Sequence, residues 1–344
     1  MSKEVSKSQT MLFAEVRQMI EEARQAAARK VNAELTLLYW NIGMRINREI
    51  LQNDRAGYGE AIVSTLSSQL TKEYGKGFTV SALTRMCNFQ EKFPDLEIVA
   101  TLSQQLSWSH FVEILPLTTE LERTFYTQMC RIEKWSVRTL RKKIQSMLYE
   151  RTAISKKPEE LARFELQALS ENDLLSPDLI FQNPYVLDFL GLKNTYQERD
   201  LEQAILNKLE HFLLELGSGF AFVARQKRMI IDGKDFKLDL LFYHRVLKRL
   251  IAIDLKIGPF EAAYKGQMEL YLRWLEKHEI KPGEELPIGL ILCAEGNHEQ
   301  IELLQLDQTS VKVAQYITQY LPKDLLKQKL HQFMAASRRQ QDNQ

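Results

Sequence analysis

The 344-residue sequence has too few cysteines to build a covalent or metal-bound framework. Cys87, Cys130 and Cys293 are odd in number, far apart and surrounded by apolar residues. Disulfide and zinc frameworks need paired, regularly spaced cysteines, and disulfides persist mainly outside the reducing cytoplasm. We therefore expect three buried free thiols in a cytoplasmic protein.

Motifs of several other site classes are also missing. None of the six histidines forms a pair with metal-ligand spacing, and the chain has neither a Walker-type glycine loop nor a Gly-x-Ser-x-Gly elbow. The opening residues, MSKEVSKSQT, are polar, and no apolar run approaches the ~20 residues that span a bilayer. We expect no secretion signal and no membrane partner.

The sequence also lacks an excess of charge of one sign, because its 46 basic residues nearly balance its 45 acidic residues and the net charge is +1. Nucleic-acid binding has to be inferred from local basic patches instead. Residues 131–157 include nine basic and two acidic residues, a net charge of +7. A solvated helix face before a linker would show the same pattern. We predict sequence-independent phosphate contacts there from Arg138, Arg141, Lys142 and Lys143.

What the sequence does contain is a compact β-rich stretch in its second half. Three apolar runs, Phe220–Ile231, Phe236–Tyr243 and Leu250–Lys256, lie close together, and Asp232-Gly233 between the first two is a tight-turn signal. After Pro259 the apolar residues follow helical spacing. The pattern predicts a three-stranded meander that leads into a helix, with a buried fourth strand over residues 286–293.

Two carboxylates and a lysine interrupt these apolar strands. Asp239 lies between two leucines, and Asp254 and Lys256 are two residues apart, so on a strand they share one face. A buried carboxylate is costly unless it is paired or bound to a cation. Hard divalent cations such as Mg²⁺ favour carboxylate oxygens together with water and phosphate. The pattern indicates a small metal site at the ends of neighbouring strands.

Asp239, followed about fifteen residues later by Asp254-Leu255-Lys256, resembles the PD-(D/E)XK nuclease motif. Leu238 stands where the motif's name has proline. The C-terminal half is similar to the bacterial YhcG-like nucleases in the sequence segments FLLELGSGFAFVARQ, DLLFYH, DLKIGPFEAAYKGQMELYL and IGLILC. The N-terminal half adds LTLLYWNIG, LSWSHFVEIL and KWSVRTLRKKIQSMLYER. The similarity covers most of the chain, from about residue 15 to about residue 330.

This resemblance implies an all-helical N-terminal domain followed by a restriction-endonuclease-like α-β-β-β-α-β domain. It also implies Mg²⁺ (or Mn²⁺), held by Asp239, Asp254 and the carbonyl of Leu255, with Lys256 acting on the attacking water or the developing phosphorane charge. The resemblance further places Gln267 near the site, where its amide would hold the water or the phosphate.

A glutamate on the helix before the meander often joins the site in PD-(D/E)XK nucleases. Here that helix is predicted over residues 198–216, and Glu202 falls on its buried stripe. Glu210 is the second candidate for this role. Both Glu210 and Glu215 are expected to be solvated. A glutamate that only stabilises the helix N-terminus would explain Glu202 equally well.

Three further residues are candidates for contact with nucleic acid. Arg225 and Gln226 on the first strand are predicted to face either a phosphate or the carboxylates. Tyr271 shares a helix face with Gln267, and we expect it to pack in the core with its hydroxyl at the rim of the site.

The N-terminal half is predicted to contain only helices. The first spans residues 11–51 and is either continuous or broken near 41–43, and a turn follows at 53–57. A later helix that ends at Phe93, capped by Thr79 or Ser81, carries Arg85, Asn88 and Lys92 on one face and resembles the second helix of a helix-turn-helix unit. A plain three-helix bundle would show the same pattern.

The chain is therefore divided into four predicted regions. A helical domain over 10–155 binds nucleic acid or a partner, a connecting segment covers 156–192, a nuclease domain covers 193–334, and 335–344 form a disordered tail. The long first helix suits a homodimer interface, and a defence-system protein is a further candidate partner.

The resulting hypothesis is Mg²⁺-dependent phosphodiester hydrolysis, with DNA favoured as the substrate and RNA left open. The alternative is an inactive nuclease fold that binds nucleic acid or assembles with other proteins. Convergence of Asp239, Asp254 and Lys256 in space would distinguish the two.

Overall fold

The computed structural model describes residues 2–52, 58–192, 196–295, 298–304, 306, 309–319, 325–326, 328 and 330. The predicted turn at 53–57, most of a last helix predicted at 324–334, and the predicted tail at 335–344 lie outside these residues. The chain forms two compact units, Met1–Lys142 and Lys143–Gln344. Among the described residues, none of the helices has both the length and the apolar composition to cross a bilayer.

In its described part, the first unit contains helices and no strand. They are α1 (Ser2–Gln52), α2 (Tyr58–Tyr74), α3 (Val80–Lys92), α4 (Leu96–Ser103), α5 (Trp108–Ile114), α6 (Glu120–Glu133) and α7 (Val137–Gln145), which crosses the unit boundary. The side chain of Thr79 caps α3 by accepting the N–H of Ala82. The prediction of a helical N-terminal half is confirmed.

Of the two alternatives for the first helix, the continuous one is correct, because α1 runs unbroken through Gly43. A Cβ atom at Gly43 would lie 2.0 Å from the carbonyl oxygen of Met86 on α3. The glycine therefore serves close packing of α1 against α3 and does not interrupt the helix.

The second unit is a mixed sheet with helices on both faces. Its elements are α8 (Leu148–Arg151), α9 (Glu159–Asn172), α10 (Pro177–Ile180), β1 (Tyr185–Val186), α11 (Glu198–Asn207), α12 (Leu209–Leu216), β2 (Phe220–Ile231), β3 (Lys234–His244), β4 (Arg249–Pro259), α13 (Ala262–His278), β5 (Glu285–Glu295), α14 (His298–Leu303) and β6 (Val311–Ile317). The strand order is β1-β6-β5-β4-β3-β2. The pairs β2–β3 and β3–β4 are antiparallel, and the others are parallel.

The predicted meander is confirmed, and so is the helix–strands–helix–strand order of the nuclease fold. Asp232 and Gly233 both have positive φ, 49° and 74°, as a two-residue hairpin turn with the right twist requires. The strand predicted at 286–293 is the buried parallel strand β5. The helix predicted over 198–216 is two helices, α11 and α12, because the backbone leaves helical geometry at Lys208.

The predicted connecting segment, 156–192, is ordered and packs within the second unit. It supplies β1 at the sheet edge, and five of its apolar residues are buried in the core beneath α11 and α12: Ile180, Phe181, Tyr185, Leu187 and Leu190. This burial explains why the compact unit begins near residue 143 instead of residue 193.

The three cysteines are free and buried, as predicted. Burial raises the pKa of Cys87 to about 11 and that of Cys130 and Cys293 to about 12. These thiols are therefore protonated and poorly nucleophilic at neutral pH.

Candidate active site

Side chains from three adjacent strands meet in one row across the sheet. Arg225 pairs with Leu240 and Lys227 with Leu238, so Gln226 lies opposite Asp239. The ladder between β3 and β4 ends at the pair Leu240 and Ile253. One residue further along this antiparallel register, Asp239 lies opposite Asp254. Cross-strand neighbours of this kind have their Cβ atoms ~5 Å apart, close enough to share a ligand.

Asp239 is held by two hydrogen bonds from neighbouring strands. Its Oδ2 accepts the backbone N–H of Leu255 at 2.8 Å, and its Oδ1 accepts the amide of Gln226 at 3.1 Å. On a strand, the N–H and the C=O of one residue point toward the same side. The carbonyl of Leu255 is therefore directed toward Asp239, as expected for a ligand of the same ion.

Asp254 is a buried carboxylate on β4, with only 3 % of its surface exposed. Its Oδ2 lies 2.9 Å from Nζ of Lys256 on the same strand face. Burial, then the charge and hydrogen bonding of Asp239, raise the pKa of Asp254 to about 6, against the lowering effect of Lys256. The two aspartates are therefore a close like-charged pair that the single lysine compensates incompletely.

Lys256 is anchored between an acidic and an aromatic side chain. Besides its contact with Asp254, Nζ lies 5.0 Å from the centre of the Tyr264 ring. Burial by itself would lower the pKa of Lys256, but the charges of Asp254, Glu198 and Asp239 raise it overall. Lys256 is thus held as an ammonium ion, which suits hydrogen-bond donation and charge stabilisation better than proton abstraction.

Gln226 connects the aspartate row to the helix that precedes the meander. Its amide nitrogen donates to Oε2 of Glu202 at 2.8 Å and to Oδ1 of Asp239 at 3.1 Å. Its backbone φ of 46° lies in the left-handed region, which is unusual for a residue within a strand. Such conformations cost about 1–3 kcal/mol and persist where surrounding contacts enforce them.

Of the two candidate glutamates, Glu202 is the one that reaches this network. It is half-buried on α11, and burial together with the charge of Asp239 raises its pKa. Glu210 is exposed on α12. The expectation that Glu215 is solvated is wrong, because its carboxylate lies 2.5 Å from the fully buried guanidinium of Arg151.

Gln267 and Tyr271 bond to each other on α13. The amide of Gln267 donates to the Tyr271 hydroxyl at 2.5 Å, and that hydroxyl donates to the carbonyl of Lys237 at 3.3 Å. Tyr271 is 1 % exposed and belongs to the core on this face of the sheet. Its pKa is raised, first by burial, with the charges of Asp254 and Asp239 contributing in the same direction.

The predicted phosphate-binding residues fall into two groups. Arg225 beside the site, and Arg138 and Lys142 on α7, are exposed. Two others make contacts within the chain: Arg141 bonds both carboxylate oxygens of Glu113, and Lys143 donates to the carbonyl of Leu214.

The residues on the face of α3 that resembled a recognition helix also fall into two groups, exposed side chains and one that makes contacts within the chain. Arg85 and Asn88 are exposed. Lys92 is half-buried, and its Nζ donates to the carbonyl of Leu117 at 3.3 Å as well as to that of Leu115. Its side chain therefore ties α3 to the loop after α5.

Three residues near the site were not singled out from the sequence. Glu198 at the start of α11 and Asp254 both raise the pKa of Lys256, and the Tyr264 ring lies beside its ammonium group. The hydroxyl of Tyr316 on β6 donates to the Lys256 carbonyl at 3.2 Å. Tyr264 is eight residues after Lys256, at the start of the predicted helix, so its proximity to Lys256 could have been predicted from the sequence. Glu198 and Tyr316 are 58 and 60 residues away, and only the fold brings them near.

The donor set fits a hard divalent cation. Within the described part of the chain, no group of three His, Cys, Asp or Glu side chains could enclose a metal. Mg²⁺ is usually held by one or two carboxylates, with water and substrate phosphate completing its octahedral shell. Asp239, Asp254 and the Leu255 carbonyl match this pattern, and a cation would balance the two adjacent negative charges.

Comparisons with known proteins assign both halves of the chain. Residues 15–151 match the family described as DUF1016 N-terminal domain, and residues 178–331 match the YhcG PDDEXK nuclease domain. The protein named "Putative nuclease YhcG" from Escherichia coli (strain K12) is 37% identical over 307 residues, which cover 80% of this chain and 81% of that protein.

Solved structures show weaker likeness. A repair endonuclease from Pyrococcus abyssi is 19% identical with a TM-score of 0.27, and the match covers 36% of this chain and 49% of that one. A structure described as an EndoMS-dsDNA2 complex is 15% identical with a TM-score of 0.27, covering 35% and 46%. The matched part is thus about half of each of these proteins, and likeness at this level bears on neither substrate nor mechanism. The relationship to the E. coli protein and the two consecutive domain matches are decisive: the chain belongs to the YhcG family of PDDEXK nucleases.

Proposed function

We propose that the protein hydrolyses phosphodiester bonds of DNA with Mg²⁺ or Mn²⁺ at Asp239, Asp254 and the Leu255 carbonyl. The observation that carries this proposal is the burial of Asp254, 3 % exposed, opposite Asp239 and 2.9 Å from Lys256. If the site had only a structural role, two adjacent carboxylates would destabilise the fold without any compensating benefit.

The side chains around the row take separate roles in this proposal. When bound, the cation would polarise the phosphate and lower the pKa of a water molecule. Lys256, held as an ammonium ion, donates to the water or to a phosphate oxygen and stabilises negative charge as it develops. In this proposal Glu202, whose pKa is raised, accepts a proton, and Gln226 orients Glu202 and Asp239 through its two hydrogen bonds.

Substrate binding is proposed to use the exposed cations. Arg225 is next to Gln226 on β2 and would contact the phosphate backbone beside the row, while Arg138 and Lys142 on α7 would add sequence-independent contacts. We propose DNA as the substrate because of the family resemblance. Every assay therefore also includes an RNA substrate.

The test is cleavage of plasmid DNA, single-stranded DNA and RNA by purified full-length protein, with Mg²⁺, with Mn²⁺ or with EDTA. We expect DNA cleavage that EDTA abolishes. Asp254→Asn should reduce it by at least about 100-fold, the scale of losing one preorganised charge contact at a reacting phosphate. This substitution removes a buried charge and keeps the side-chain shape, so the fold is expected to persist.

Asp235→Asn is the matched control. Asp235 is an exposed aspartate on the same strand as Asp239, paired with Arg228 at the surface, and its removal should leave cleavage unchanged. If the wild type binds DNA but none of the substrates is cut with either metal, the protein is a binder with a nuclease fold. Full activity of Asp254→Asn would refute the assigned site.

A further inference from the structure

Residues 11–32 of α1 are exposed on all sides of the helix. Burial begins only near Thr36 and Trp40. These 22 residues would extend for about 33 Å at 1.5 Å per residue. Helices of this length are marginal in water without packing against another element, so a partner for this segment is expected.

This segment carries an apolar stripe. The stripe consists of Leu12, Phe13, Val16, Met19, Ile20, Ala23 and Ala27. At 100° per residue these positions occupy an arc of roughly 120°, the width of a face that packs against another helix. Phe13 and Met19 are each 68% exposed, so the stripe includes large side chains in water.

The stripe points away from α3, against which α1 packs closely at Gly43. Phe13, Ile20 and Ala27 are seven residues apart, and Leu38 follows eleven residues later, so all four lie on one row of the helix. Leu38 is 45% exposed, whereas Thr36, roughly 160° around the helix, is fully buried. The buried side of α1 therefore faces α3, and the apolar row is on the other side.

Charged residues flank the stripe in a self-complementary way. Glu15 and Glu22 lie along one edge, and Arg17 and Arg24 lie along the other. In a parallel pair of helices related by a two-fold axis, the acidic edge of one copy faces the basic edge of the other. In an antiparallel pair, like edges would face each other and repel.

We propose that residues 12–27 of α1 form a parallel two-helix interface with the same segment of a second copy of this chain. The apolar stripe would be buried between the copies, and the Glu15/Glu22 edge of each would pair with the Arg17/Arg24 edge of its partner. The basis is structural and independent of the nuclease site.

The first measurement is the mass of the full-length protein in solution by light scattering or sedimentation at about 50 µM, well above a micromolar Kd. We expect twice the chain mass of 40.1 kDa. Ile20→Glu should give the monomer mass with the circular dichroism of a folded protein. Gln25→Glu, which adds the same charge on the opposite side of α1, should remain dimeric. A monomeric wild type, or a dimeric Ile20→Glu, overturns the proposal.

Reversing the charges on one edge tests whether the acidic edge of one copy pairs with the basic edge of the other. The variant Arg17→Glu/Arg24→Glu has two acidic edges, and Glu15→Arg/Glu22→Arg has two basic ones, so each alone should be monomeric at concentrations where the wild type is dimeric. An equimolar mixture should restore the dimer mass, because each edge then meets its opposite. Failure of the mixture to associate contradicts the edge pairing.

Cysteine cross-linking tests the orientation. Val16→Cys and Ala23→Cys, made separately, lie on the centre line of the stripe, and the native cysteines are buried. In a parallel pair, both variants should form an intermolecular disulfide on mild oxidation. In an antiparallel pair at most one of the two positions meets itself, and that result would refute the parallel arrangement.

Discussion

The backbone N–H of Leu255 donates a hydrogen bond of 2.8 Å to Oδ2 of Asp239. This bond connects β3 and β4 beyond their last ladder pair, where the strands would otherwise separate. It fixes the carboxylate of Asp239 relative to the carbonyl of Leu255, so two of the three proposed metal ligands are positioned by the hairpin itself. A site of this kind is organised before substrate arrives, which electrostatic catalysis requires.

Metal binding should be measurable as stabilisation, without any substrate. A ligand at ten times its Kd adds about 1.4 kcal/mol to the folded state, which raises the melting temperature by roughly 2 °C for a chain of this size. We expect Mn²⁺ or Mg²⁺ to produce this rise in the wild type and in Asp235→Asn, and not in Asp254→Asn, when measured by differential scanning fluorimetry. Equal shifts in all three proteins would show that the cation binds elsewhere.

Gln226 should act on the reaction by positioning Asp239 and Glu202. Gln226→Leu removes both hydrogen bonds while keeping the size of the side chain, and losses of such orienting partners typically cost 10–100-fold in activity or metal affinity. The measurement is cleavage rate against Mn²⁺ concentration. A positioning role predicts a higher half-saturating Mn²⁺ concentration and partial recovery at excess Mn²⁺.

Gln203→Leu provides the comparison for Gln226. Gln203 is exposed on α11 and bonds Asn207 within the same helix, so its loss should leave both the rate and the metal dependence unchanged. An unchanged metal dependence in Gln226→Leu, with only the maximal rate reduced, would argue against positioning of the metal ligands.

The core of the site could be predicted because its signal is local. Asp239, Asp254 and Lys256 interrupt apolar strands at alternating positions, and strand periodicity alone puts Asp254 and Lys256 on one face. The turn at Asp232-Gly233 gives the hairpin register that brings Gln226 opposite Asp239. Each of these inferences depends on residues within about twenty positions of one another.

What the sequence did not predict depends on distant contacts. Lys143 and Arg141 resemble free cations in the sequence, yet Lys143 bonds a carbonyl 71 residues away and Arg141 bonds a carboxylate 28 residues away. The left-handed backbone of Gln226 has no sequence signal, since glutamine rarely adopts it. The residues of β1 resemble part of a linker, because a two-residue edge strand is too short to show periodicity.

The buried ion pair between Arg151 and Glu215 should be essential for stability. Arg151 is fully buried and also donates to the carbonyls of Ser146 and Pro184, while Glu215 accepts the N–H of Val186. Removing one partner of such a pair leaves an uncompensated charge and costs about 3–5 kcal/mol. Glu215→Gln should show this loss in urea unfolding, whereas Glu210→Gln, exposed on α12, should change the free energy of unfolding by less than about 0.5 kcal/mol.

His244 should make the stability of the protein depend on pH. This side chain is fully buried at the end of β3, its Nδ1 accepts the N–H of Leu247 at 3.1 Å, and the ring of Phe220 packs edge-on against it at 4.7 Å. Burial, with a smaller contribution from Arg249, lowers the pKa of His244 from 6.5 to about 4, although a hydrogen bond with the backbone of Ser218 opposes the shift.

Because the folded pKa of His244 is below the unfolded one, the unfolded chain binds more protons between pH 4 and pH 6.5. The stabilisation is therefore complete above the unfolded pKa and is lost as the pH falls toward 4. At pH 5 the loss should be about 2 kcal/mol relative to pH 7.5, given 1.36 kcal/mol per pKa unit. Since carboxylates also titrate in acid, the useful quantity is the difference between wild type and His244→Gln in urea unfolding at the two pH values. His278→Gln, at an exposed position on α13, should keep the wild-type dependence, and an unchanged dependence in His244→Gln would show that other groups cause it.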